Sequence, residues 1–303
     1  MPFDRMSPYR RRAGWIAAGI AVLVLLAAAL LVGQALTPRS TAPDSRNVAA
    51  ADPTPSSVEQ RPQESVPPAA PAPDGLPVLD YDPAPRGFPA DPATMDVTPL
   101  TEGVHPTRRI AAYDAPGGRP LAFFDPTLAG VELTMPIAER RVGWAAVLLP
   151  SANRRLAWLA PGGFDTVALR DQIVVERKVH RLTWYRAGKA VRSWETSLGQ
   201  SGQETPLGRT FVLGRTPPPG EVYGGVDIYA LGSVPDDPEA VPTGLRGAHI
   251  GLHTWYNDDE LGENTTNGCI RVTPSGQRKL LAEVRPGTSL VVVDQLATPP
   301  STA

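Results

Sequence analysis

Residues 247–271 read GAHIGLHTWYNDDELGENTTNGCIR. The first eight alternate as a strand does, which would set His249, Gly251 and His253 on one face. A loop rich in Asp, Asn and Gly follows, and the chain then reaches Thr265-Thr266-Asn267-Gly268-Cys269. Cys269 is the chain's one cysteine, so it can form neither an intramolecular disulfide nor a cysteine-rich metal site. An inert buried thiol, an intermolecular bridge and a nucleophile remain. A neighbouring histidine favours the nucleophile, because a thiolate–imidazolium pair lowers the thiol pKa and the thiolate is the attacking form. Backbone amides around a glycine just before the nucleophile can point at a developing oxyanion. Arg271 shares the face of Cys269 if the segment is extended, and offers a fixed charge for a carboxylate or for bracing a loop. A zinc site from His249, His253 and Cys269 is the competing reading. No carboxylate or second cysteine falls at a matching spacing, so no metal and no cofactor is expected. His249 is expected to be structural or to line the groove, and His105 and His180 have no partner in the pattern.

Working outward from this stretch, the sequence from residue 169 to 296 is that of a β domain. Ile173–Glu176 and His180–Tyr185 read as paired strands, Arg186-Ala187-Gly188-Lys189 as the next turn, and Ala190–Thr196 as the return. Pro286-Gly287 marks a turn before a closing strand at Leu290–Val293. Between them Pro274–Val284 suits one helix, with Thr273 as its cap, Pro274 in its first turn, and Leu280, Leu281 and Val284 as its apolar stripe.

Several ordered blocks here resemble the L,D-transpeptidase catalytic domain of the YkuD family. Ile250-Gly251-Leu252-His253-Thr254 is similar to its "I-x-x-H-[GST]" strand. Thr266-Asn267-Gly268-Cys269-Ile270-Arg271 is similar to its "[ST]-[HK]-G-C-[ILV]-[RN]" segment. Ser197-Leu198-Gly199 and Thr205-Pro206-Leu207-Gly208-Arg209-Thr210-Phe211 resemble its "S-x-G … T-P-x-G-x-F" stretch. The resemblance implies a β sandwich with Cys and His in a groove beneath a flap. It implies that Cys269 attacks the carbonyl between a diamino acid and D-alanine of a peptidoglycan tetrapeptide stem, giving a thioester that a side-chain amine of another stem resolves into a 3→3 cross-link. Under it, His253 is the base, Thr254 stands beside the base, and the amides of Asn267, Gly268 and Cys269 form the oxyanion hole. Tyr223 and Tyr229, near Gly224-Gly225, fall where the family has its flap and would meet the stem peptide or be buried. Asn267 departs from the pattern, which has His or Lys there. Water or a protein amine as acceptor would make the same domain an L,D-carboxypeptidase or a protein-attaching enzyme. A wall-binding scaffold with an idle thiol is the alternative of another class.

Ahead of this domain, residues 100–168 alternate short apolar stretches with Gly and Pro turns, as at Arg109–Tyr113, Leu121–Phe124, Gly143–Leu149 and Leu156–Leu159. The tryptophans Trp144 and Trp158, within "Gly-Trp-x-x-Val-x-Leu … Ala-Trp-Leu", resemble a bacterial SH3-like β barrel, where they would be core residues. Residues 36–99 are rich in proline: residues 38–99 hold 15 of the chain's 35. With few large apolar residues, this segment is expected to be a disordered stalk.

Residues 13–35 contain a charge-free run of 21 residues from Ala13 to Gly33. At ~1.5 Å per residue such a helix just spans a hydrocarbon core of ~30 Å. Arg5, Arg10, Arg11 and Arg12 precede it, which puts residues 1–12 in the cytoplasm and the remainder outside. A cleaved signal peptide is the other reading, but its apolar region is shorter, ~7–15 residues. In an oxidising compartment a solitary cysteine is worth reading as reactive. The fold class expected is thus mainly β: a transmembrane helix, an SH3-like barrel, a YkuD-like sandwich, and a tail at 297–303. The net charge of −2 carries no basic patch, so the expected partners are peptidoglycan stem peptides and the membrane, with no nucleic acid.

Overall fold

The computed structural model describes residues 65–151, 154–232 and 250–297. The expected cytoplasmic segment, the anchor at 13–35, the first part of the stalk, His249 and the last six residues lie outside them. Among the described residues no helix is long and apolar enough to cross a membrane.

The first β domain has strands β1 (Glu102–Pro106), β2 (Ile110–Tyr113), β3 (Pro120–Phe124), β4 (Thr127–Leu128), β5 (Val131–Glu132), β6 (Met135–Arg141), β7 (Trp144–Leu148), β8 (Leu156–Leu159) and β9 (Phe164–Ala168). Seven of these form one sheet in the order β3-β2-β8-β7-β6-β1-β9, and β4 and β5 pair as a separate ribbon. Trp144 is fully buried and Trp158 nearly so. Tyr113 meets Trp144 edge-on at 5.1 Å, a favoured geometry for two ring quadrupoles.

The second domain has β10 (Asp171–Glu176), β11 (Arg181–Arg186), β12 (Lys189–Glu195), β13 (Leu198–Gly199), β14 (Gly208–Thr216), β15 (Ile228–Gly232), β16 (Gly251–His253), β17 (Asn264–Thr266), β18 (Ile270–Arg271), α1 (Pro274–Glu283) and β19 (Ser289–Val293). Its main sheet runs β12-β11-β10-β19-β14-β15-β16-β18. The valine-rich β19 is central, parallel to β10 and antiparallel to β14, which explains why every residue of it is buried. Helix α1 starts as the sequence predicts: the Thr273 hydroxyl accepts the Gly276 amide at 3.1 Å, and Pro274 fills the first turn. Leu280 and Val284 join the core of this domain.

Residues 65–99 correct the expected stalk. They pack on both β domains. The Leu79 amide donates to the Phe123 carbonyl and the Phe123 amide to the Pro77 carbonyl, at 2.8 Å each. Leu79 and Phe88 are buried, and the carbonyls of Pro67 and Ala70 accept from Trp144 Nε1 and the Tyr113 hydroxyl. Asp91 is buried against Arg209 of β14. Proline removes amide donors and forbids helix, but its carbonyls still accept, and a few apolar side chains suffice to seat such a segment on a preformed surface.

Candidate active site

The site is built where β16 and β18 run side by side. They are parallel, with Leu252 opposite Ile270 and His253 opposite Arg271. One residue earlier in this register, Gly251 stands opposite Cys269, so Gly251, His253, Cys269 and Arg271 share a face. The Gly251 amide donates to Cys269 Sγ at 3.4 Å. Gly251 leaves room on that face, since a Cβ there would touch the His253 ring. Cys269 is partly accessible, whereas His253 is buried.

His253 Nδ1 lies 2.7 Å from the Thr254 carbonyl. A carbonyl only accepts, so Nδ1 carries the proton and Nε2 keeps its lone pair. The Thr254 hydroxyl in turn donates to the Tyr223 carbonyl, which ties the histidine strand to the short turn Glu221–Tyr223. The Tyr223 ring meets His253 edge-on at 5.0 Å and Trp255 at 5.4 Å. Arg271 lies 4.0 Å over the Trp255 ring, and its Nη1 bonds Glu260 Oε2 at 2.6 Å. Its backbone pairs with Ser197 in both directions, at 3.0 and 3.1 Å. Arg271 therefore braces the loop, and its buried Nε donates to no partner among the described residues.

The turn before Cys269 is held by one hydroxyl. Thr266 Oγ1 accepts the Gly268 amide at 3.1 Å and donates to the Cys269 carbonyl at 2.7 Å. Gly268 has φ +105°, open to glycine and strained for other residues.

Residues 170–293 match the model of the YkuD family, the L,D-transpeptidase catalytic domain. The YkuD protein of Bacillus licheniformis is 25% identical over 128 residues, spanning 42% of this chain and 67% of that protein. That of Bacillus subtilis is 23% identical over 169 residues, spanning 54% of this chain and 94% of its own. An L,D-transpeptidase structure from Mycobacterium smegmatis aligns with 52% of this chain and 82% of its own, at 15% identity and a TM-score of 0.35.

Three expectations for this domain are changed or narrowed. The Gly268 amide is already bonded to Thr266, so the amides free to meet an oxyanion are those of Asn267 and Cys269, which have no acceptor among the described residues. Of the two readings open for Tyr229, groove or core, the structure gives the core. It is buried, with its hydroxyl 2.9 Å from the carbonyls of both Leu280 and Val284, so it fastens α1 to the sheet. Burial weighs against a thiolate–imidazolium pair. Burial pushes the Cys269 thiol pKa up, against the smaller pull of the Gly251 amide and Arg271. Burial also lowers His253 to about 4; the Thr254 carbonyl opposes this and Arg271 adds to it. Desolvation disfavours both charged forms and so favours thiol and neutral imidazole.

Other motif residues prove architectural. The Thr205 hydroxyl accepts the Gly199 amide at 2.9 Å, and a Cβ on Gly199 would strike the backbone of residues 203–205. His105 bonds the Leu133 carbonyl and His180 bonds Asn264. Asn267 is exposed, with its side-chain oxygen 3.3 Å from Gln200 Nε2. Sequence reasoning missed Glu260, Ser197 and Thr266 as supports of the site. A signal existed for Thr266 and Ser197, whose hydroxyl-bearing positions stand in the quoted motifs.

Proposed function

We propose that residues 170–293 form a peptidoglycan L,D-transpeptidase that works through a thioester on Cys269. The observation that carries this reading is the fixed tautomer of His253 on the face it shares with Cys269 Sγ. The match to the L,D-transpeptidase family model supports it.

The neutral resting pair makes His253 a general base. As Sγ attacks the carbonyl between the third residue and the D-alanine of a tetrapeptide stem, the thiol proton passes to Nε2 and the C–O π electrons move to oxygen. The amides of Asn267 and Cys269 meet that oxyanion. Collapse breaks the C–N bond, and the imidazolium returns the proton to the departing D-alanine amine. A side-chain amine of a second stem then attacks the thioester, loses its proton to His253 and regenerates the thiol, leaving a 3→3 cross-link. The Arg271 guanidinium supplies a fixed positive charge beside Cys269. Tyr223 and Trp255 shape the wall beside His253.

The charge-free run at 13–33 and the arginines before it support an anchored protein whose β domains face the cell wall, with the first domain as an SH3-like spacer or wall contact. Mass spectrometry after incubation with a carbapenem tests the thiol: an acyl adduct on the wild type, absent from Cys269→Ala, is expected. Folded protein that takes up no adduct overturns the reading. Products from a disaccharide-tetrapeptide then separate a cross-linked dimer from a hydrolysed tripeptide.

A further inference from the structure

The first β domain packs on the sheet face that carries Cys269. From β14 to β18, Val212, Tyr229, Leu231, Leu252 and Ile270 point into the core of the second domain. The alternate positions point the other way. On that other face Phe211 and Leu213 enter the core of the first domain, and a Cβ on Gly214 would strike Val131 Cγ1 at 2.8 Å. One row crosses the sheet there: Gly214 stands opposite Ala230, Ala230 opposite Gly251, and Gly251, one residue before the Leu252–Ile270 pair, opposite Cys269. A Cβ on Gly251 would meet Ile228 Cγ2 at 3.2 Å, so β15 and the cysteine site share this face. Beneath the first domain the face holds a cavity of about 330 Å³, walled by Leu128, Val131 and Leu133 on one side and by Leu213, Gly214 and Ala230 on the other. The β4–β5 ribbon that forms the first wall is closed by a two-residue turn, Ala129-Gly130, with φ +49° and +81°. Two positive φ values in such a turn match the twist of a tight hairpin, so the wall is a held structure. Glu132 and Arg215 also line the cavity, exposed at its open side and without an ion-pair partner among the described residues.

We propose that this cavity is a subsite for the sugar-proximal end of the donor stem, so that the first β domain supplies one wall of the substrate site. Neither Cys269 nor His253 lines the cavity, and the argument is one of reach. Adjacent strands lie ~4.8 Å apart, which sets Ala230 about 10 Å from Cys269 along the row. An extended peptide covers ~3.3–3.6 Å per residue, so the diamino acid on the sulfur and the two residues ahead of it span about the same distance. With the carbonyl of the diamino acid at Sγ, the start of the stem falls at the cavity mouth. The volume lies at the lower end of the ~300–1,000 Å³ typical of ligand sites and suits a short peptide of small residues. Aliphatic groups of the stem meet Leu128, Val131 and Leu133, and its charged groups meet the open side where Arg215 and Glu132 stand. The first domain then selects the donor by packing against it, a role separate from any hold on the wall.

The inference rests on the proposed thioester chemistry for its ligand, but its first test needs no turnover. A disaccharide-tetrapeptide is titrated by calorimetry into the full chain carrying Cys269→Ala, which cannot acylate. Adding Ala230→Leu, which fills the cavity from the sheet side, is expected to weaken binding about tenfold, the scale of losing two buried methyl contacts. Val131→Asp, on the exposed ribbon of the first domain, should do the same without touching the second domain's core. With Cys269 restored, the ratio of stem acylation to carbapenem acylation should fall about tenfold in both variants, because the small lactam does not reach the cavity. Unweakened stem binding in both variants overturns the proposal. An unchanged ratio with both rates lowered also overturns it, since the substitutions would then act through the fold. Intact donor binding with a raised demand for acceptor stem in cross-linking overturns it as well, by assigning the cavity to the acceptor. A wild type that takes no carbapenem adduct yet binds the stem through Val131 and Ala230 would sink the proposed function and leave the subsite standing.

Discussion

Asp91 and Arg209 form a doubly hydrogen-bonded ion pair, both bonds 2.6 Å, with their side chains 1% and 5% exposed. The pair joins the proline-rich segment to β14. A buried pair adds little net stability against an apolar replacement, but removing one partner strands the other charge. Asp91→Ala is expected to destabilise the protein by about 3–5 kcal/mol in urea unfolding. The joint change Asp91→Leu with Arg209→Met should recover most of that loss. An Asp91→Ala protein with the wild-type midpoint would show the pair to be absent in solution.

His253 sets an acid limit on stability. Its folded pKa is lowered to about 4, mainly by burial, whereas an unfolded imidazole titrates near ~6.5. Between these values the unfolded chain binds the extra proton. The contribution is therefore whole above the unfolded pKa and is lost as pH falls towards the folded one. At ~1.4 kcal/mol per unit, the full loss is about 3 kcal/mol. Denaturant unfolding of the wild type should show this decline, and His253→Gln should flatten it. The acid limb of kcat/KM should likewise lie well below the ordinary histidine range, because the base stays neutral there. A limb at the ordinary value would contradict the buried setting of His253.

The Thr266 hydroxyl is expected to matter beyond its size. Thr266→Val leaves the Gly268 amide and the Cys269 carbonyl without their partner, a cost of about 2 kcal/mol for buried groups. It also frees the Gly268 amide, so the turn can rotate and misplace both the sulfur and the oxyanion donors. Acylation by a carbapenem should slow at least tenfold in Thr266→Val and return to near wild type in Thr266→Ser. Equal rates in all three would remove the hydroxyl from any part in the site.

The parts legible in the sequence are those written locally. Strand alternation around Leu182 and Trp184, the Thr273-Pro274 helix start and the valines of β19 announce their own structure, because each needs only its neighbours to decide its state. Spacing and motif single out Cys269 and His253, and the strand register sets the two on one face. What stayed hidden depends on distant partners. Nothing near Asp91 names Arg209, and nothing near Ala70 names Tyr113, so composition alone made both residues part of a stalk. The Gly224-Gly225 neighbourhood left Tyr229 open between groove and core, and its hydroxyl bonds to the carbonyls of Leu280 and Val284 place it on α1. The charge state of the cysteine pair depends on burial, which no spacing reveals.

Arg271 combines shape and charge, and two substitutions separate them. Its planar guanidinium stacks on Trp255, which meets Tyr223, which in turn meets His253. Its charge lowers the pKa of both Cys269 and His253, because a nearby cation favours the thiolate and disfavours the imidazolium. Arg271→Lys keeps a positive charge but loses the flat stacking surface and the fork that reaches Glu260. Its stability should fall by about 1 kcal/mol, with kcat/KM reduced as the aromatic wall loosens, while the midpoint for Cys269 alkylation stays near the wild-type value. Arg271→Gln removes the charge, so the alkylation midpoint should rise and the His253 acid limb should move up with it. Glu260→Gln is the control from the other side of the pair: it weakens the brace and spares the cation, so only stability should respond. If Arg271→Lys and Arg271→Gln shift the midpoint equally, the effect of Arg271 on the thiol is one of loop geometry, and its charge is not what tunes Cys269.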